Sequence, residues 1–207
     1  VPKAWSNREK AAIQTTLREQ GKKLFEKYGL RKTTVDELVR SAGISKGAFY
    51  LFYASKEELY FDILEQLETV YHDTVYEGIL RPGASPRQSF RAFLGDIIRI
   101  MTTNPIYRQL NSEDYEYLRR KLPEQTLKDH VKSDFDRFAS YFETWMQKGW
   151  MRRVSPAALN GMMIALFYFT MHREDLGGTD FQGVTDLWID MLVSYLIPGN
   201  TNGEDNG

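Results

Sequence analysis

Four helix starts are written into residues 1–60, and they leave that stretch little choice but to fold as short helices in close succession. Ser6-x-x-Glu9 is a capping box, in which hydroxyl and carboxylate each accept from amides left unpaired at a helix start. Ile13, Leu17, Leu24 and Tyr28 follow at helical spacing, and Gly29 supplies a left-handed stop. A second box, Thr34-x-x-Glu37, opens a helix with Val35, Leu38, Val39 and Ala42 on one face, ended by Gly43. Ser45 caps a third helix over residues 46 to about 53. Ser55-x-x-Glu58 starts a fourth that runs through Leu59, Ile63, Leu67, Val70 and Thr74.

Beyond the turn chemistry of Arg81-Pro82-Gly83-Ala84-Ser85-Pro86, helices are predicted at about 86–103, 105–121, 124–149, 156–174 and 180–197. Pro105, Pro123, Pro156 and the Gly177-Gly178 pair separate them. No strand pattern occurs, so the fold class is all-α. The organisation expected is a head at residues 1–54, with a two-helix motif at 34–53, a larger helical body at 55–198 and a flexible tail at 199–207.

Composition narrows the chemistry. With 42% hydrophobic and 27% charged residues, the 207-residue chain has the balance of a globular protein. No cysteine occurs, which removes disulfides, cysteine nucleophiles and thiolate metal sites together. The first residues lack the apolar run of a secretory signal, and the apolar stretch at 159–171 is too short to span a bilayer. A cytoplasmic protein without membrane contact is expected. The formal net charge of -1 hides a division: residues 1–60 hold 12 Lys+Arg against 7 Asp+Glu, and the remainder 15 against 21. A basic head joined to an acidic body suits a polyanionic partner.

The second and third helices, joined by Gly43-Ile44-Ser45, have helix-turn-helix dimensions, which set the second helix across the first so that it can enter a major groove. Gly43 tolerates positive φ, Ile44 plugs the angle between the helices, and Ser45 leaves a capped, amide-rich helix start for phosphate. Lys46, Gly47 and Ala48 are basic or small and allow close approach to a duplex. Phe49, Phe52 and Tyr53 provide packing bulk, while Tyr50, Leu51 and Lys56 are left to face nucleic acid.

The run from Thr34 to Tyr53, containing Ala42-Gly43-Ile44-Ser45-Lys46-Gly47 and followed by Ser55-Lys56-Glu57-Glu58-Leu59, resembles the DNA-binding domain of the tetracycline-repressor (TetR) family over roughly residues 10–65. The resemblance implies an all-helical, homodimeric transcriptional regulator, most often a repressor released from its operator by a small ligand. It also implies that Thr34 meets phosphate at the second helix start, that Lys46, Gly47 and Ala48 lie near base edges, and that Tyr50 and Lys56 bond the DNA backbone. Leu51, Tyr53 and Ala54 depart from the family pattern. With Ala48 and Leu51 apolar, hydrogen-bonded readout is sparse, and Lys46 and groove shape are expected to carry much of the specificity.

The body is rich in aromatics and methionine. A pocket for a hydrophobic or aromatic effector is expected from Phe93, Ile97 and Met101 together with Phe138, Phe142, Met163 and Phe167. The same helical spacing also serves an ordinary packed core. Gly161-x-x-x-Ala165 and the face of Trp188, Met191, Leu192 and Tyr195 are assigned to a dimer interface, against the alternative of an intramolecular core. His72, His130 and His172 form no metal or catalytic motif, and no phosphate-binding glycine loop occurs, so neither an enzyme nor a cofactor is expected. The expectation is therefore a homodimeric repressor of a near-palindromic double-stranded operator. The rivals are a helical enzyme or carrier without DNA binding, and a ligand-blind regulator acting through protein partners.

Overall fold

Each of the four expected helix starts forms in the computed structural model, which describes residues 5–79, 83–110, 112–175 and 180–198. Helix α1 (Asn7–Lys32) begins on the Ser6–Glu9 capping box. Its regular turns are broken at Gly29, whose φ of 78° and ψ of 169° suit glycine almost alone. Helix α2 (Val35–Ala42) starts on the Thr34–Glu37 box and ends at Gly43 in the left-handed region, φ 68°. The Gly43 and Ile44 amides donate back to the Arg40 and Val39 carbonyls at 3.3 and 3.0 Å, closing α2 with a Schellman pair. Ser45 caps α3 (Lys46–Phe49) through the Ala48 amide. At α4 (Lys56–Ile79) the fourth box reaches one residue further back than expected: Ser55 accepts from the Glu58 amide, while the Glu58 carboxylate takes the Ala54 N–H at 2.7 Å.

The remaining helices are α5 (Pro86–Thr103), α6 (Pro105–Gln109), α7 (Ser112–Lys121), α8 (Glu124–Gln147), α9 (Pro156–Met171) and α10 (Phe181–Leu196). No strand occurs among the described residues, and the all-α class holds. The single helix expected at 105–121 is two. Leu110 leaves the helical region at ψ 84° and is buried, and a new helix starts at Ser112. The Arg81-Pro82 turn, the Gly177-Gly178 break and the tail at 199–207 lie outside the described residues.

The chain divides into two compact units, one of residues Val1–Tyr71 with Thr103–Glu124 and one of His72–Thr102 with Gln125–Gly207. In the first, Leu17, Phe25, Leu38, Phe49, Leu59 and Tyr60 form a closed apolar core, with the Phe25 and Tyr60 rings edge to face at 5.0 Å. Arg18 on α1 forms a forked ion pair with Asp62 on α4, at 2.7 and 3.0 Å, and Asp62 also accepts from the Tyr53 hydroxyl. Burial and that bond push the Tyr53 phenol up to about 12. Just ahead of α1, the Trp5 ring stacks on Phe52 at 5.8 Å. In the second unit, Phe90, Phe93 and Phe142 form an aromatic core with Trp145 against Phe90.

Candidate nucleic-acid interface

Because α2 and α3 are short and their junction is closed by backbone bonds, α3 presents a defined set of residues outward. Gly47 is exposed, and a side chain at its Cα would meet open space. Tyr50 is 50% exposed with its ring held edge-on to Phe49, and Leu51 is 76% exposed. Lys46 is exposed, and its ammonium lies 3.0 Å from Asp36 Oδ1; that bond and charge hold it above the ordinary lysine value. Ser45 is exposed at the α3 start. Apart from the apolar Leu51, these are small, basic and hydroxyl-bearing groups on one short helix and its flanking residues, a composition suited to close approach to a duplex.

Three of the expected contact residues sit differently. Ala48 is 6% exposed and packs inward, because α3's turn carries it to the same side as Phe49. Thr34 is exposed, but its amide and hydroxyl both donate to the Glu37 carboxylate at 2.8 Å, so phosphate must compete with that carboxylate for them. The three hydrogen bonds of the Lys56 ammonium go to the carbonyls of Leu30, Arg31 and Thr33, at 2.9, 3.0 and 2.7 Å. Lys56 thus closes the C-terminal end of α1, where carbonyls lack partners and the helix dipole attracts a cation. Burial pushes it below the usual lysine value, against the pull of Glu57, Asp114 and Glu37.

The same end of α1 is gripped by residues that nothing in the sequence marked. Gln109 of α6 donates to the Glu26 carbonyl, and its side-chain oxygen occupies the space a side chain at Gly29 would need. Arg31 pairs with Glu113 of α7 at 3.0 Å, and Tyr117 of α7 donates to Glu57 at 2.7 Å, which lifts its phenol to about 12. Desolvation raises the Asp114 carboxyl.

In the second unit, the structure brings Phe93, Phe138 and Phe142 of the expected pocket together, with Phe93 5.4 and 5.5 Å from the other two rings and the His72 ring 5.0 Å from Phe138. Phe93 and Phe142 are buried; Ile97, Met101, Met163 and Phe167 are half-buried, the last packed against Tyr168. On α9 and α10, Gly161, Ala165, Met191 and Tyr195 are exposed, with Arg152 over the Tyr195 ring at 4.7 Å. Leu192 is half-buried, and Trp188 stacks on Phe169 at 5.6 Å. Leu187, 65% exposed, completes an outward stripe with Met191 and Tyr195 that the sequence reading passed over for its neighbour Trp188.

A capped helix-turn-helix head, with a larger helical unit sharing α4, is the build of a helix-turn-helix transcriptional regulator. Residues 17–63 match the family described as bacterial regulatory proteins, tetR family. It is 31% identical over 137 residues to the HTH-type transcriptional regulator YuxN of Bacillus subtilis, an alignment covering 61% of this chain and 44% of YuxN; the chain thus spans less than half the length of that relative. Among solved structures it resembles SmeT, the repressor of the Stenotrophomonas maltophilia multidrug efflux pump SmeDEF, at 17% identity and TM-score 0.64 over 94% of this chain and 97% of that one. It also resembles the regulator FadR of Bacillus subtilis in complex with stearoyl-CoA, at 14% identity and TM-score 0.62 over 87% and 97%. These relatives are transcriptional regulators, not enzymes. No described helix is long and apolar enough to cross a membrane.

Proposed function

We propose that this chain is a homodimeric, ligand-responsive repressor acting in the cytoplasm on a near-palindromic double-stranded operator. The observation that carries the reading is the exposed face of α3 and the turn after it, where Lys46, Gly47, Tyr50 and Leu51 stand outward from a basic head built on the core of Leu17, Phe25, Leu38 and Phe49. Ser45 and Tyr50 address phosphate, Lys46 and Gly47 approach base edges, and Leu51 offers apolar contact to a thymine methyl. Thr34 can join them by exchanging its bonds to Glu37 for phosphate. A head fixed at residues 1–54 and a regulatory body over 55–198 remain the division of labour we propose.

The stripe of Leu187, Met191 and Tyr195, beside the small exposed residues Gly161 and Ala165, supports dimerisation through α9 and α10. Two heads about 34–36 Å apart would then meet successive turns of the major groove. The aromatic cluster around Phe93 supports a hydrophobic or planar effector, and the acyl-CoA bound by FadR is one chemistry of that kind. Helix α4 contributes residues to both units, so a ligand that tilts it would shift the heads out of groove spacing.

The test is fluorescence anisotropy with duplex DNA over a salt series. A regulator loses affinity steeply as salt rises, and an effector lowers operator affinity further. Binding to no duplex in dilute buffer refutes the reading. A monomer at micromolar concentration by analytical ultracentrifugation refutes the dimer.

A further inference from the structure

The reading above gives Asp36 no role, yet its carboxylate stands beside the cation expected to enter the groove. It lies in the first turn of α2 and holds the ammonium of Lys46, the first residue of α3, with oxygens 3.0 and 3.2 Å from Nζ. The two side chains are 66% and 52% exposed. An exposed ion pair adds little to stability, and the α2–α3 junction is already closed by the Gly43 and Ile44 amides. A carboxylate there also repels phosphate. The helix dipole favours an acid in the first turn of α2 but does not require it to reach Lys46, whereas the behaviour of lysine at a polyanion gives that reach a use.

A lysine ammonium is a point charge with three donors on a flexible stem, and the nearest acceptors along a duplex are phosphates, which carry no sequence information. With one N–H held by Asp36, the ammonium is fixed near the start of α3 with two donors left. We infer that Asp36 is a positioning residue for sequence readout, tethering Lys46 so that its remaining donors address acceptors on base edges, such as guanine O6 and N7, instead of neighbouring phosphates. This rests on the DNA-binding reading above and adds to it a source of discrimination that apolar Leu51 and inward-packed Ala48 do not supply.

The experiment compares the unmodified protein with Asp36→Asn, Asp36→Glu, Lys46→Ala and the double variant Asp36→Asn/Lys46→Ala. Each is titrated against a duplex selected by the unmodified protein from a randomised pool and against a scrambled duplex, over a salt series. Asp36→Asn should bind the scrambled duplex roughly two- to five-fold more tightly, with a salt slope steeper by about 0.9, one more phosphate neutralised. Its preference for the selected duplex should fall, and Asp36→Glu should restore part of it. The gain on scrambled DNA should vanish when Lys46 is absent. Unchanged slope and preference in Asp36→Asn overturn the inference, as does a gain that persists without Lys46, which marks a general charge effect. If the unmodified protein binds neither duplex, the DNA-binding reading falls and takes the inference with it.

Discussion

Replacing Lys56 with methionine separates two roles for one residue. Methionine keeps the length and apolar character of the stem but removes the ammonium, leaving the carbonyls of Leu30, Arg31 and Thr33 without their donor. A hydrogen bond to a charged group contributes about 1.5–3 kcal/mol where water is excluded, and a cation at a helix C-terminus about 0.3–1 kcal/mol. Lys56 is half-buried, so water recovers part of each lost bond, and the net loss should be about 2 kcal/mol. For a chain of this size that lowers Tm by about 4–8 °C. Thermal unfolding followed by circular dichroism measures it, and anisotropy against a scrambled duplex measures the salt slope in parallel. The structure predicts a fall in Tm with the slope nearly intact. A slope reduced by about 0.9 with Tm unchanged would restore Lys56 to the phosphate backbone and refute the capping assignment.

Gly29→Ala should destabilise by about 1–3 kcal/mol from backbone conformation alone, with a further loss as Gln109 is displaced, whereas Gly43→Ala, in open space at φ 68°, should lose only about 1–2 kcal/mol; urea midpoints give the order. Burial holds the Asp114 carboxyl above its ordinary 3.8, so the stability that its proton contributes is complete below 3.8 and is lost as pH climbs through the raised value. Asp114→Asn removes that slope, and its urea midpoint should improve relative to the unmodified protein across that window; parallel pH profiles refute the assignment. Met191→Asp should shift sedimentation from dimer to monomer at micromolar concentration while circular dichroism stays helical.

Local chemistry was readable in advance. Ser6, Thr34 and Ser45 cap helices where their spacing to Glu9, Glu37 and the following turn implied, because a cap is satisfied within four residues of itself. Pro105 and Pro156 open helices for the same reason. The bonds of Lys56 to α1 were not legible because its partners lie 23 to 26 positions earlier in the chain, and a residue that closes another helix leaves no periodic trace beside itself. Ala48 was placed at the DNA surface by its small size, yet smallness equally suits a position packed beneath a turn. The break at Leu110 carries no proline or glycine, so no punctuation residue announced it. Asp36 sits in an α2 first turn where an acid favours the helix dipole, so its reach across to Lys46 was masked by an ordinary local reason to be there.

The Trp5 ring lying on Phe52 puts an intrinsic fluorophore against the turn that follows the α3 helix. The chain's other tryptophans, Trp145, Trp150 and Trp188, all belong to the second unit. With those three exchanged for phenylalanine, a single emitter remains in the DNA-facing unit, and its emission wavelength and lifetime track the seating of that turn in real time without an attached dye.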